Sequence, residues 1–112
     1  MVKVTFEEKD NRLTLKLDGH AGQASKGQDI VCSSCTILAY TVAQFVMNAK
    51  GMGELKSPPD IDLKEGEGCI SCEPTEESYT ALKSAYLFAE VGYNLLAHNF
   101  PRYVELTQFD TE

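Results

Sequence analysis

The stretch VKVTFEEKDNRLTLKLD, Val2 through Asp18, decides the fold of the first part of the chain. In each half of it, apolar residues alternate with charged or hydroxyl residues, which is the period of a strand with one buried face. The tetrapeptide KDNR between the two halves supplies turn-forming residues. The stretch therefore predicts a β-hairpin, and with it a sheet that has one face in water.

Beyond the hairpin, the spacing of the apolar residues changes several times. Helical spacing predicts a first helix from about Ser33 to Lys50 and a second from about Glu76 to His98. The run IDLKEGEGCISCE predicts two short strands around GEG, and Tyr103–Phe109 predicts a last strand. We therefore expect one domain over residues 1–112. Its fold class is α+β, a two-layer sandwich of an antiparallel sheet and two main helices in the order ββ-α-(ββ)-α-β.

Each predicted helix carries an apolar stripe. In the first helix the stripe consists of Leu38, Val42, Phe45 and Ala49. In the second, a continuous seam recurs every seven residues and consists of Tyr79, Leu82, Tyr86, Ala89, Tyr93 and Leu96. A further apolar surface on the same helix is formed by Leu87, Phe88, Val91 and Leu95. A helix that is apolar on two sides must be covered on both, either as a central core helix or by another subunit.

Composition and charge restrict the class of protein. The chain is 43% apolar and 24% charged and carries a net charge of −7, values that suit a globular protein which repels nucleic acid and attracts basic peptides. The N-terminus lacks the basic and apolar regions of a signal peptide, and the longest apolar run, TILAYTVAQFVM, is too short to span a bilayer. We therefore expect a cytoplasmic protein with reduced thiols and no membrane partner.

The stretch GHAGQASKGQDIVCSSC, residues 19–35, carries the most reactive side chains of the chain. A short extended DIV segment is expected to lead into the first helix at Cys32, where free helix-start amides would stabilise a thiolate and an oxyanion. His20 follows the second strand of the hairpin and suits a general base. Asp29 is a candidate to orient the imidazole, and Asp18 is a weaker one. This pattern predicts a Cys/His nucleophile pair.

Two other kinds of site compete for the same cysteines. The pairs Cys32/Cys35 and Cys69/Cys72 are two CxxC motifs, and four thiolates form a closed zinc site. However, a strand over CISC would turn Cys69 and Cys72 to opposite faces. A redox dithiol at CSSC would need a thioredoxin-like βαβ unit, which the N-terminal hairpin opposes. For Cys69 and Cys72 the favoured interpretation is packing in a strand.

The combination of GHA, a short glycine-containing loop, and G-x-D-x-V-C before a helix resembles the ribosomal-processing cysteine protease family of bacteria. The layout of strands and helices and the length of the chain are also similar to that family. The specific residues of the resemblance lie between Gly19 and Cys32. One residue departs from the family pattern, namely Cys35, which lies one helical turn after Cys32 and is either a packing residue or the partner of a disulfide.

The resemblance implies a function and its residues. His20 would be the general base, Cys32 the nucleophile and Asp29 a supporting residue, while Gly22 and Gly27 would belong to a loop that orders around substrate. The expected activity is that of a cysteine endopeptidase that removes the N-terminal extension of a large-subunit ribosomal protein precursor. The resemblance also implies a homodimer and no metal. We expect no cofactor and, from the net charge of −7, no direct contact with nucleic acid. The alternative is a zinc-binding or ribosome-associated module that uses the CxxC pairs.

Overall fold

The computed structural model describes residues 1–19 and 26–110, with the backbone alone at 26–29. The strands are β1 (Val2–Lys9), β2 (Arg12–Asp18), β3 (Asp60–Lys64), β4 (Glu67–Cys72) and β5 (Val104–Thr107). The helices are α1 (Lys26–Gly51) and α2 (Tyr79–Asn99). This element order confirms the predicted α+β class.

The N-terminal hairpin forms as the alternation predicts. β1 and β2 pair antiparallel from Lys3 opposite Asp18 to Lys9 opposite Arg12. The two residues of the turn, Asp10 and Asn11, have φ angles of 53° and 66°. A two-residue loop with two positive φ angles matches the right-handed twist of the flanking strands, and Asp and Asn tolerate that conformation.

The sheet is mixed, whereas the sequence predicted an antiparallel one. Its strand order is β3-β4-β2-β1-β5, and every neighbouring pair is antiparallel except β1 with β5, which are parallel from Val2 opposite Val104 to Thr5 opposite Thr107. The reason lies in α2, which carries the chain from β4 across the helical layer to the far side of β1. A strand that returns after such a crossover helix runs in the same direction as the strand before it.

Both helices pack on one face of the sheet. The inward-facing side chains of the three central strands are fully or almost fully buried and consist of Val4, Phe6, Leu13, Leu15, Ile70 and Cys72. On the opposite face the alternate positions are polar, for example Lys16, which forms an ion pair with Glu7 at 3.1 Å. The result is a two-layer sandwich with its core between the sheet and the helices.

Helix α1 is longer than the predicted first helix, and the face that it buries differs from the predicted face. It begins at Lys26, and its buried stripe consists of Val31, Cys35, Ala39, Val42, Ala43, Val46 and Ala49. Phe45, predicted to be buried, is 42% exposed. Small side chains dominate the buried stripe, so the larger aromatic side chain lies outside the packed layer.

Length and composition alone would also allow part of α1 to cross a membrane. The span from Ile30 to Gly51 is apolar enough for this, but the core helix of a soluble protein meets the same two criteria. In this structure a face of that span is buried against α2 and the sheet. The hydropathy of α1 therefore gives only weak support for a membrane location.

The seam on α2 is buried as predicted, except at Tyr79, which is half-buried. Its buried residues are Leu82, Tyr86, Ala89, Tyr93 and Leu96. The helix begins at Tyr79, later than predicted, because Thr75 forms a turn in which its Oγ1 accepts a hydrogen bond from the Ser78 backbone N–H at 3.2 Å. The further apolar surface stays uncovered in the monomer, and Phe88 is 82% exposed.

Candidate active site

A groove with a volume of about 600 Å³ lies between α1 and the β3–β4 hairpin. Cys32 is exposed and lines this groove, together with Thr36 and Tyr40 of the same helix. Leu17 and Leu63 contribute aliphatic surface from the sheet. The groove therefore places a solvent-accessible thiol beside a cleft with both apolar and polar walls.

The position of Cys32 on α1 differs from the prediction. Cys32 was expected at the start of the helix, but α1 begins at Lys26 and the DIV segment is helical. The cause is Val31, which is fully buried one turn before Cys35 and so continues the apolar stripe of α1 upstream. Because only the first four amides of a helix lack an intrahelical acceptor, the free amides of α1 lie at its start around Lys26, and the Cys32 amide is not among them. The predicted oxyanion role for amides at Cys32 is therefore wrong in this structure.

Gly19, the residue before His20, is fixed at the end of the sheet and also lines the groove. Its backbone N–H donates a hydrogen bond to the carbonyl oxygen of Gly66 in the β3–β4 turn at 2.9 Å. Its φ angle is +109°, and a Cβ atom at this position would overlap the backbone carbonyl oxygen of Met1. Only glycine meets both requirements without strain, which gives a physical reason for the glycine of the GHA motif.

The other predicted site residues are only partly described by the structure. His20 and Gly22 lie outside the described residues. Gly27 and Asp29 lie in the first turn of α1, where only the backbone is described. Asp18, the weaker candidate, ends β2 and does not line the groove. The structure thus brings Cys32 and Gly19 to one groove, and the pairing of Cys32 with His20 stays a prediction.

Cys35 lies at the inner wall of the same groove and differs from Cys32 in its surroundings. Its side chain is buried, with 4% exposed. Burial raises the pKa of the Cys35 thiol to about 11, and the nearby Cys32 contributes in the same direction. Cys35 is therefore a neutral thiol at physiological pH, and its burial agrees with the interpretation as a packing residue.

The backbone at Cys35 is held by a hydrogen bond from α2. The buried Tyr93 hydroxyl donates to the Cys35 carbonyl oxygen at 2.8 Å. Burial, and secondarily the neighbouring Cys35, raises the pKa of Tyr93 above its ordinary value, so the hydroxyl keeps its proton. This bond fixes the helical turn that contains Cys32 and Cys35 against the second helix.

Replacing Tyr93 with phenylalanine is expected to lower the free energy of unfolding by about 1 kcal/mol, the net value of one buried neutral hydrogen bond. Urea denaturation of the two proteins measures the difference. Tyr40→Phe is the matched control, because the Tyr40 side chain is 54% exposed. Equal midpoints for the Tyr93 and Tyr40 variants would contradict a stabilising role for the Tyr93–Cys35 bond.

The four-thiolate zinc site is excluded by the geometry of β4. Cys72 pairs with Leu13 and is fully buried on the core face, where the Tyr86 hydroxyl lies 3.7 Å from its Sγ. Cys69 pairs with Lys16 on the opposite, polar face of the sheet. The two thiols therefore cannot ligate one ion. In residues 1–19 and 30–110, no other group of His, Cys, Asp and Glu is placed to hold a metal.

The β3–β4 hairpin is the part of the groove that the sequence did not reveal. Residues 63–68 form one wall of the cleft and include Lys64, Glu65 and Glu67. The run GEG predicted a turn, but its position opposite Cys32 follows from the strand order, in which β4 lies next to β2. No local sequence signal encodes that pairing.

The sequence of this chain matches one family of known proteins. The sequence model of the family described as "Cysteine protease Prp" matches residues 1–105. No curated protein matches the chain closely enough to count as a relative.

Solved structures share the fold. A Streptococcus mutans protein superposes with a TM-score of 0.70 at 23% sequence identity, covering 99% of this chain and 96% of its own. An essential ribosomal processing protease Prp from S. aureus, crystallised with a substrate peptide, superposes with a TM-score of 0.67 at 18% identity, covering 96% of this chain and 99% of its own. At these identities the superpositions establish the fold alone.

Proposed function

Because this chain belongs to the cysteine protease Prp family and is therefore a cysteine protease, we propose that Cys32 is its nucleophile and His20 its general base. The observation that carries the assignment of Cys32 is its position as the exposed thiol of the groove. Cys35 and Cys72 are buried, and Cys69 lies on the far face of the sheet. The remaining thiols are thus unavailable to a peptide in the groove.

The proposed reaction is acyl transfer through a thioester. His20 takes the proton of the Cys32 thiol, and Sγ attacks the carbonyl carbon of the scissile peptide bond. The carbon–nitrogen bond breaks, and His20 returns the proton to the leaving amine. Water then hydrolyses the thioester and restores the thiol. Asp29 is proposed as a supporting residue, and Gly22 and Gly27 as part of a loop that orders around the substrate.

The proposed substrate is the N-terminal extension of a large-subunit ribosomal protein precursor. Two observations support a basic peptide. The chain carries a net charge of −7, and the β3–β4 hairpin contributes two glutamates and one lysine, Glu65, Glu67 and Lys64, to the lining of the groove. Opposite charges accelerate encounter and disfavour acidic competitors. The structural neighbour from S. aureus is a ribosomal processing protease crystallised with a substrate peptide, which supports the same class of substrate.

A cleavage assay tests this proposal. The protein is incubated with the precursor of a large-subunit ribosomal protein from the same organism, and the products are measured by intact mass spectrometry. We expect a single cut that removes the N-terminal extension. The mature form of the same ribosomal protein is the control and should stay uncut. Unspecific degradation of both forms, or no cleavage of the precursor, would contradict the proposal.

We also propose that the protein is a cytoplasmic homodimer. The apolar surface on α2 supports an interface between two copies, since Leu87, Phe88, Val91 and Leu95 are between 40% and 82% exposed. Exposed apolar patches of this kind mark protein contacts. The four cysteines are free thiols, which suits the reducing cytoplasm.

Sedimentation analysis of a charge variant tests the dimer. Phe88→Glu should shift the protein from dimer to monomer, because a carboxylate would be buried unpaired at the interface. Gln108→Glu adds the same charge at an exposed polar position after β5, outside this surface of α2, and should leave the dimer intact. A monomeric wild-type protein, or equal behaviour of the two variants, would contradict the interface. Fractionation of cells tests the cytoplasmic location.

A further inference from the structure

Cys35 is a thiol without a role in the proposed reaction, yet it lies beside the proposed nucleophile. Both cysteines line the groove and both belong to α1, three residues apart. Residues three apart lie on the same helical face, so their side chains are neighbours. One thiol is exposed and the other is buried. This arrangement gives the site an exposed sulfur and, one helical turn along the same helix, a buried one.

Cys32 and Cys35 are close enough along the helix to form a disulfide bond. In an α-helix, residues three apart have Cα atoms about 5 Å from each other, and disulfides bridge Cα atoms roughly 4.4–6.8 Å apart. Their Cβ atoms must approach by on the order of 1–2 Å, because helical neighbours lie farther apart than bridged cysteines do. The turn that contains Cys32 has to supply most of this movement, since the Tyr93 hydroxyl holds the carbonyl of Cys35.

We propose that hydroperoxides convert Cys32 and Cys35 into a reversible intrahelical disulfide that switches the protease off. The inhibition rests on the proposed role of Cys32 as nucleophile, whereas formation of the disulfide does not. The bond would remove the attacking thiol and close the inner wall of the groove. Because closure distorts the helical turn, the disulfide is strained and readily reduced, as strained disulfides are.

The chemistry balances in two steps. First, the Cys32 sulfur attacks an oxygen of the hydroperoxide, the O–O bond breaks, and a sulfenic acid forms while the hydroperoxide leaves as an alcohol or, from hydrogen peroxide, as water. Second, the Cys35 sulfur attacks the Cys32 sulfur, the S–O bond breaks, and the hydroxyl leaves as water with the proton of Cys35. Two thiols lose two electrons and two protons, and the hydroperoxide accepts them.

Burial of Cys35 determines which sulfur reacts first. The exposed Cys32 meets the oxidant in the groove, whereas Cys35 is shielded from it. The second step is intramolecular, and this proximity offsets the small thiolate fraction of the buried Cys35, so the step competes with further oxidation of Cys32. Without a neighbouring thiol, a sulfenic acid proceeds to the sulfinic acid, which dithiols do not reduce. Cys35 would thus protect the nucleophile from irreversible loss.

The test compares native wild-type protein with Cys35→Ala after treatment with hydrogen peroxide. Intact mass and peptide mapping should show that the wild type loses two hydrogen atoms in a Cys32–Cys35 disulfide, while Cys35→Ala gains oxygen atoms at Cys32. After dithiothreitol, the wild type should recover its cleavage activity. Relative to its own untreated activity, Cys35→Ala should recover about tenfold less. Cys69→Ala is the control and should behave like the wild type, because Cys69 lies on the far face of the sheet.

The outcomes separate this inference from the proposed function. Oxygen added to Cys32 of the wild type without a disulfide, a disulfide between two chains, or equal recovery of the wild type and Cys35→Ala would overturn the inference. Each of these results leaves the cleavage by untreated protein unaffected. In contrast, cleavage by a Cys32→Ala variant would overturn the proposed function, while the disulfide would still be visible in the mass of the oxidised wild type.

Discussion

Replacing Cys32 with alanine is expected to lower the rate of precursor cleavage by roughly 10⁴-fold or more, since removal of a covalent nucleophile leaves only binding and electrostatic contributions. The fold should be unaffected. The Cys32 side chain is exposed, and surface substitutions of this kind change the free energy of unfolding by about 0.5 kcal/mol or less. Initial rates from intact mass spectrometry and a urea denaturation curve measure the two effects on the same preparation.

Cys69→Ala is the matched control for this experiment. It removes another thiol that is only partly buried, but one that pairs with Lys16 on the polar face of the sheet. Its cleavage rate should equal that of the wild type. If Cys32→Ala retained a rate within tenfold of the wild type, another group would have to be the nucleophile. The denaturation curve shows whether Cys32→Ala is folded. A loss of cleavage counts as evidence on the chemistry only when the variant is folded.

Gly19→Ala is expected to cost about 2–5 kcal/mol of folding free energy, the combined cost of a strained φ angle and of overpacking. The backbone of Gly19 has a φ angle of +109°, and its added Cβ would overlap the Met1 carbonyl oxygen, a backbone atom that no side-chain rotation can move. Because Gly19 immediately precedes His20, we also expect cleavage to fall in whatever fraction of the protein remains folded. Urea denaturation and initial cleavage rates measure both effects.

Alanine substitutions at two other glycines separate the cost of the φ angle from the cost of the steric overlap. Gly53 has a φ angle of +71° but open space around its Cβ position, so Gly53→Ala should cost only the conformational part, about 1–2 kcal/mol. Gly51 lies at the end of α1 with open space and no positive φ angle, so Gly51→Ala should be neutral or slightly stabilising. Equal losses of unfolding free energy at positions 19 and 53 would show that the Met1 carbonyl moves away from the added Cβ and that the overlap costs little.

Local patterns in the sequence were sufficient for most of the fold. The alternation in Val2–Lys9 and Arg12–Asp18 predicted the hairpin because one face of these strands is buried. The seam that contains Tyr86 and Tyr93 predicted the buried face of α2 for the same reason. The parallel pairing of β5 with β1 could not be predicted in this way, since it depends on how α2 crosses the sheet and not on any neighbouring residues.

The structure describes only part of the predicted site. The exposed Cys32 and the glycine before His20 lie at one groove, while the pairing of Cys32 with His20 stays a prediction. The start of α1 was misjudged because the sequence around Asp29 suits both a strand and a helix, and burial of Val31 in the assembled core decides between them. Likewise, the wall formed by residues 63–68 becomes part of the groove only when β4 pairs with β2.

The pairing of β1 with β5 has a consequence for how the chain folds during its synthesis. The Val2 backbone N–H donates to the Tyr103 carbonyl oxygen at 2.7 Å, and Val2 also lines the groove. During translation, the outer edge of β1 emerges long before its partner and has no strand to bind. The sheet is completed only when residues 104–107 have left the ribosome, and pairings between such distant segments form slowly. A nascent chain would thus acquire proteolytic activity only after residues 104–107 have been synthesised.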